Sequence, residues 1–254
     1  MVKAVIFDMF ETLITHYKSP LYFSTQMADD AGIDRDIFQA GWRAAEHDRS
    51  VGKVTVEQVL QRILEENHCY SEKLLKKITE KRIMTKRECF RHLHPQIIPM
   101  LTKLKEQGFL IGLISNCFSE EAKVIRESEL FPYFNEVCLS YEQGISKPDE
   151  EIFHRCLEGL GVKAQECLYV GDGGSEELEA AQRLGMTALQ AVWYLEEGTS
   201  QPVGRKEGFE QVENPLDVFR YLPRFEFRSI RQDEADQAVA IEQICFPPHE
   251  ACSE

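Results

Sequence analysis

Four places in the chain put a polar group directly after an apolar run or at the start of a helix. They are Asp8 after Val2–Phe7, Ser115 and Asn116 at the end of Phe109–Ser115, Lys147 ahead of a helix opened by Pro148, and Asp172 after Cys167–Val170. Two carboxylates, a hydroxyl and an amine, if brought together, can hold a hard cation, offer a carboxylate nucleophile and steady an anion. A lone aspartate at a strand end is more often a helix cap. Four such groups at successive strand ends are hard to assign to structure alone.

The elements that must position them follow from the hydrophobic pattern. Val2–Phe7 is apolar on both faces, which suits a central parallel strand, and the next such run begins about 100 residues later. Pro95–Gln107 places Ile97, Met100, Leu101 and Leu104 on one helical face, with Pro95 fit for the first turn and Gly108 for the stop. A helix then follows Ser119, a strand spans Glu136–Leu139, and the helix after Pro148 carries Ile152, Phe153, Cys156 and Leu157. The strand Cys167–Val170, a helix over Ser175–Leu184, a strand Thr187–Val192 and a last helix over Pro215–Leu222 complete the series. Strands alternating with helices predict an α/β fold, a doubly wound (Rossmann-like) parallel sheet. Ligands bind such sheets beyond the carboxyl ends of the strands, where all four positions fall.

The stretch 16–92 reads differently. Thr55 and Gln58 form a capping box ahead of Val56, Val59, Leu60, Ile63 and Leu64 at helical spacing, and Leu74, Leu75 and Ile78 mark another helix. With little strand signal, it is expected to be an all-helical insertion, leaving a core of residues 1–15 and 93–222. After Tyr194, Gly198, Pro202, Gly204 and Gly208 read as loop punctuation.

The chain has 254 residues, is 43% hydrophobic and 28% charged, and carries a net charge of −14. No basic run exceeds two residues, as at Lys86-Arg87, so neither nucleic acid nor anionic membrane is expected as a partner. An anionic substrate would need a local metal ion, lysine or helix N-terminus. The eight cysteines show no CxxC or zinc spacing and are expected to be reduced structural thiols. The apolar start is too short for a signal peptide and no stretch reaches a membrane span, so a cytoplasmic location is expected.

FDMFETL (Phe7–Leu13), LISN (Leu113–Asn116), SKPDEEIF (Ser146–Phe153) and VGDGGSEELEAA (Val170–Ala181) together resemble the four motifs of the haloacid dehalogenase superfamily. Order and spacing match over residues 1–222, and the insertion falls where that family carries its helical cap. The resemblance implies a Mg²⁺-dependent phosphohydrolase acting on a small phosphorylated metabolite through an aspartyl-phosphate on Asp8. It implies that Ser115, with Asn116, binds the phosphoryl oxygens and that Lys147 neutralises nucleophile and phosphate. Asp8, Asp172 and the carbonyl of Phe10 would hold Mg²⁺, with Glu177 supporting them through water. The cap would set the substrate, with Arg43 and His47 as its substrate-facing residues beside Trp42 and Arg49; the bland alternative for these is a solvated helix face.

One departure matters. Phosphatases of the family usually carry a second aspartate two residues after the nucleophile, where it protonates the leaving group, and this chain has Phe10 there. General acid catalysis is worth roughly 10²–10⁴-fold. Glu11 or His47 are the candidate replacements. Two alternatives stand beside the phosphatase: a weakly active or non-catalytic phosphate-binding module, and a metal-independent 2-haloacid dehalogenase, whose halide leaves without a proton. Finally, residues 223–254 (strand FEFRSIR, then a helix from Asp233 to Cys245) resemble the opening of a GNAT acetyltransferase domain in a longer chain. The alternative there is a C-terminal appendage.

Overall fold

Alternate side chains along each strand leave for opposite faces, and this divides the core in two. The computed structural model describes residues 1–195 and 203–223. In β1 (Ala4–Phe7), Val5 and Phe7 enter one apolar cluster while Ala4 and Ile6 enter another, and all four are fully buried. The same alternation holds in β4 (Cys167–Gly171), where Leu168 and Val170 face the first cluster and Cys167 and Tyr169 the second. Burial on both faces is what an uninterrupted apolar run encodes.

Six parallel strands form one sheet in the order β3-β2-β1-β4-β5-β6, with β2 at Leu110–Ser115, β3 at Glu136–Leu139, β5 at Thr187–Ala191 and β6 at Glu210–Val212. One face is covered by α6 (Ile97–Glu106) and α7 (Ser119–Glu127), the other, after the short α8 (Ser140–Gln143) that follows β3, by α9 (Glu150–Leu160) and α10 (Glu177–Arg183). The fold is therefore the expected doubly wound α/β sheet. Each fully buried Leu, Ile or Phe contributes roughly 1.5–3 kcal/mol, so these two clusters supply most of the driving force.

Three details differ from the sequence expectation. The edge strand β6 was not anticipated, Pro215–Tyr221 is a 3₁₀ helix rather than an α-helix, and α10 begins at Glu177 rather than at Ser175. Ser175 and Glu176 carry positive φ values of 52° and 51°, so the chain turns sharply before it can wind into a regular helix. The segment resembling an acetyltransferase, from residue 224 onward, lies outside the described residues.

Between β1 and α6 run five helices: α1 (Ser24–Ala31), α2 (Arg35–Ala44), α3 (Glu46–Ser50), α4 (Val56–Glu66) and α5 (Glu72–Cys89). They enclose their own apolar cluster, including Met27, Phe38, Trp42, Leu60, Ile63 and Ile78. Thr55 caps α4 as its sequence predicts: its Oγ1 accepts the Gln58 N–H at 3.3 Å and its own N–H donates to Gln58 Oε1 at 2.8 Å. The last helix meets the core through charge. Arg82 and Lys86 on α5 are buried, and they end on Glu120 (2.5 Å) and Glu121 (2.6 Å) of α7. Lys86 and Arg82 together hold the Glu121 carboxyl down at about 2 against the burial that would raise it.

Candidate active site

The register of the three central strands brings their carboxyl ends level. Phe7 pairs with Val170 and with Leu113, so the residues that follow, Asp8, Ser115-Asn116 and Asp172, meet at one edge. The Asp8 N–H still donates to the Val170 carbonyl at 2.9 Å, which extends the sheet one residue into the site and fixes the carboxylate.

Lys147 reaches the same point from the loop before α9. Its backbone is gripped at both ends by one side chain: Asn116 Nδ2 donates to the Lys147 carbonyl at 2.9 Å and Asn116 Oδ1 accepts the Lys147 N–H at 2.8 Å. The Lys147 Nζ donates to Asp8 Oδ1 at 2.5 Å, to the Ile114 carbonyl at 3.1 Å and to Glu177 Oε2. Glu177 also accepts the Tyr169 hydroxyl at 2.9 Å and the Gly173 N–H at 3.2 Å. It needs the room left by Gly171, where a Cβ would overlap its carboxylate. Asp172 accepts the Gly174 N–H at 2.8 Å.

Asp8, Asp172 and Glu177 each present an oxygen within 4.8 Å of the others. Burial, with Glu177 beside it, lifts the Asp8 carboxyl to about 7, against the pull of Lys147. Burial and the same neighbouring carboxylates lift Asp172 to about 8. Burial alone would lower the Lys147 ammonium, but the Asp8 and Glu177 carboxylates hold it above its usual range. Three carboxylates around one ammonium leave negative charge that a further cation would relieve, and an all-oxygen donor set suits Mg²⁺ or another hard ion. The residues therefore fit a divalent metal.

Asp8, Phe10, Asn116, Lys147, Asp172 and Glu177 line a cleft of about 390 Å³. The other expected site residues are placed as follows. Ser115 is fully buried, with its hydroxyl 3.5 Å from the Asn116 carbonyl, and is not among the cleft-lining residues. Asn116 has its carboxamide engaged by Lys147 and by the Ser175 hydroxyl at 3.2 Å, so it holds the lysine in place. Arg43 lines a neighbouring chamber, and the exposed His47 lines neither cavity; α3 turns Glu46 toward the cleft instead. Phe10 stacks on His16 with ring centroids 4.9 Å apart.

The candidate replacement acid Glu11 is strongly engaged as an acceptor. Its carboxylate takes hydrogen bonds from the Thr15 hydroxyl at 2.5 Å and the His16 N–H at 3.0 Å, and its Oε1 lies 3.2 Å from the His16 ring. Both of its oxygens are thus already engaged within their own loop. His16, which sequence reasoning did not single out, lines the cleft and contacts Lys86 through Nε2 at 2.7 Å. Burial, then Lys86, lowers its pKa. Arg49, mentioned only for its place near Trp42, is among the largest fully buried side chains. Neither carries a sequence signal, because Lys86 beside His16 and Phe118 beside Arg49 lie far away in the chain.

Comparison with known proteins agrees with this geometry. A glyceraldehyde 3-phosphate phosphatase from Methanopyrus kandleri is 31% identical over 209 residues, covering 75% of this chain and 84% of that protein. A haloacid dehalogenase-type phosphatase from Thermococcus onnurineus superposes with a TM-score of 0.61 at 20% identity, over 87% of this chain and 97% of that one. An enzyme of the same family from Bacteroides thetaiotaomicron, solved with magnesium and inorganic phosphate, gives 0.54 at 18% identity, over 80% and 98%. The haloacid dehalogenase-like hydrolase family matches residues 2–185. The chain belongs to that family of hydrolases.

Proposed function

We propose that the chain is a Mg²⁺-dependent phosphohydrolase that cleaves a small phosphate ester through an aspartyl-phosphate on Asp8. The observation that carries this reading is the buried Lys147 ammonium bridging Asp8 and Glu177, with Asp172 alongside, at the carboxyl ends of adjacent parallel strands. Asp8, Asp172 and the Phe10 carbonyl would hold the ion, with Glu177 behind them. When bound, the ion supplies positive charge that polarises the phosphoryl oxygens.

The chain's own residues do the rest. Lys147, 2.5 Å from Asp8 Oδ1, favours the ionised nucleophile against the burial that raises it and offsets charge on the phosphoryl group. The Asp8 carboxylate attacks phosphorus, the bond to the leaving oxygen breaks, and water then attacks the acyl phosphate to release phosphate and regenerate Asp8. Asn116, by gripping the Lys147 backbone, orients that ammonium toward the transferring group, and Ser115 lies buried behind it at the end of β2. Residues 16–92 act as a substrate-facing cap over a core of 1–15 and 93–222. The relative's activity makes glyceraldehyde 3-phosphate the first substrate to assay. Six cysteines among the described residues are free, which suits a reducing cytoplasm. Among the described residues no helix is long and apolar enough to cross a membrane.

Phe10 favours a second reading, slow turnover of a phospho-intermediate, because its ring stacks on His16 and has no proton to give, while both Glu11 oxygens are engaged within their own loop. The test is phosphate release from a panel of esters and acyl phosphates, with Mg²⁺ and with chelator, by wild type and Asp8→Asn. Mg²⁺-dependent release, lost in Asp8→Asn without loss of fold, is expected. Full activity in Asp8→Asn would refute the mechanism.

A further inference from the structure

Beside the catalytic cleft lies a second chamber of about 350 Å³, and the two cavities share His16, Phe23 and Glu46. Four cations line it: Arg43, Arg49, Arg82 and Lys86. Arg82 ends on Glu120 at 2.5 Å and approaches Glu121 at 3.6 Å, and Lys86 ends on Glu121 at 2.6 Å. With Glu46 also counted, three carboxylates face four cations, so the chamber is locally positive in a chain of net charge −14.

The surplus charge resides on Arg49. Its side chain is buried, at 1% exposure, and among the described residues it forms no ion pair. The Nη2 donates to the Trp42 carbonyl at 3.2 Å, while Nε and Nη1 find no acceptor among the described residues. The Trp42 and Phe118 rings lie 3.7 Å and 4.0 Å from the guanidinium carbon. Stacking satisfies the two faces of a guanidinium but leaves its in-plane N–H groups unmet. A buried donor without an acceptor is costly, and a buried charge without a counter-charge more so. An anion supplied from the chamber would meet both needs. Arg43, at the chamber's exposed side, is engaged by Gln39 at only 3.4 Å and adds a second donor.

We propose that this chamber is a subsite for a second anionic group of the substrate, a carboxylate or a second phosphoryl, bound by Arg49 with Arg43 while the scissile phosphate lies at Asp8. Arg49 forms part of the chamber wall, so an anion that enters the chamber meets it. The proposal rests on the phosphohydrolase reading above and narrows it: the preferred substrate is a phosphorylated acid or a bisphosphate, not a neutral sugar phosphate.

Steady-state kinetics of the Mg²⁺-loaded full chain on two matched pairs test this. 3-Phosphoglycerate against glycerol 3-phosphate isolates a carboxylate, and 1,3-propanediol bisphosphate against its monophosphate isolates a phosphoryl group. In at least one pair the anionic member should have a kcat/KM at least tenfold higher, mostly through KM. Arg49→Met should shrink that ratio below threefold, and Arg49→Lys, which keeps the charge, should preserve most of it and controls for folding. Wild-type ratios below threefold in both pairs, or a preference that survives Arg49→Met, would overturn the subsite. No Mg²⁺-stimulated release from any of the four esters would instead remove the phosphohydrolase reading, and the subsite with it.

Discussion

Removing the cation at the centre of the site is the most informative perturbation. Lys147 is 5% exposed and its Nζ sits between Asp8 and Glu177, with Asp172 close by. Lys147→Met keeps the aliphatic stem and deletes the charge. The metal-free variant must then bury three carboxyl groups without a counter-ion, and it does so by taking up a proton. Holding a carboxyl of ordinary pKa near 4 neutral at pH 7 costs about 4 kcal/mol, at about 1.4 kcal/mol per pH unit. Breaking a buried pair typically costs a similar 3–5 kcal/mol. Because the extra proton is bound by the folded variant, its deficit should shrink by about 1.4 kcal/mol for each unit that pH is lowered. Urea unfolding of both proteins in chelator at pH 5.5, 6.5 and 7.5 measures this directly. A loss near 4 kcal/mol at pH 7 that falls to about 2 at pH 5.5 is expected, together with at least a 100-fold drop in kcat/KM with Mg²⁺. A pH-independent difference, or one below 1 kcal/mol, would refute the view that the lysine neutralises the cluster.

Three further outcomes follow from the same geometry. Asp8 and Asp172 are raised to about 7 and about 8, so the metal-free fold retains protons that the unfolded chain releases, and stability should decline as pH rises from about 4 to 8. His16 and His94, both lowered, act in the opposite sense near pH 6, so the diagnostic is the difference: Asp172→Asn should flatten the decline, and Mg²⁺ should raise Tm more at pH 8 than at pH 6. Gly171→Ala should destabilise by about 1–3 kcal/mol in urea unfolding and weaken Mg²⁺ binding, because its Cβ displaces the Glu177 carboxylate; a change under 0.5 kcal/mol would contradict the packing. Phe10→Asp should flatten the dependence of kcat/KM on leaving-group pKa and accelerate alkyl phosphates, and a steep slope left unchanged would mean that position 10 does not face the leaving oxygen.

The sheet was legible because its central strands are buried on both faces, which writes them as unbroken apolar runs ending in Asp8, Ser115 and Asp172. Helix α4 was legible for a local reason, the reciprocal Thr55–Gln58 cap. The edge strand β6 was not: it is three residues long, and the exposed Glu210 and half-buried Gln211 carry no apolar alternation. At the site, residue types at strand ends pointed to Asp8, Lys147 and Asp172. What could not be read was partnership. Charges on α5 look like a solvated face, and nothing local says that Arg82 and Lys86 are sequestered against α7. Nor does the order of residues 46–49 reveal that Glu46 and Arg49, rather than His47, turn toward the cavities.

The charged seam between α5 and α7 bears on how the molecule comes apart. If the helical insertion melted alone, Glu120 and Glu121 would lose the cations that offset their burial, and the sheet would be left with a helix bearing bare acids on its inner side. If the sheet melted alone, Arg82 and Lys86 would be stranded in the same way. Each half is thus penalised for surviving the other, although the insertion has its own apolar nucleus. Thermal unfolding of residues 1–223 should accordingly be a single cooperative event, and calorimetric and van't Hoff enthalpies that disagree would refute this. High salt, which screens the charges only once they are exposed, blurs that unity by making the half-melted forms less unfavourable.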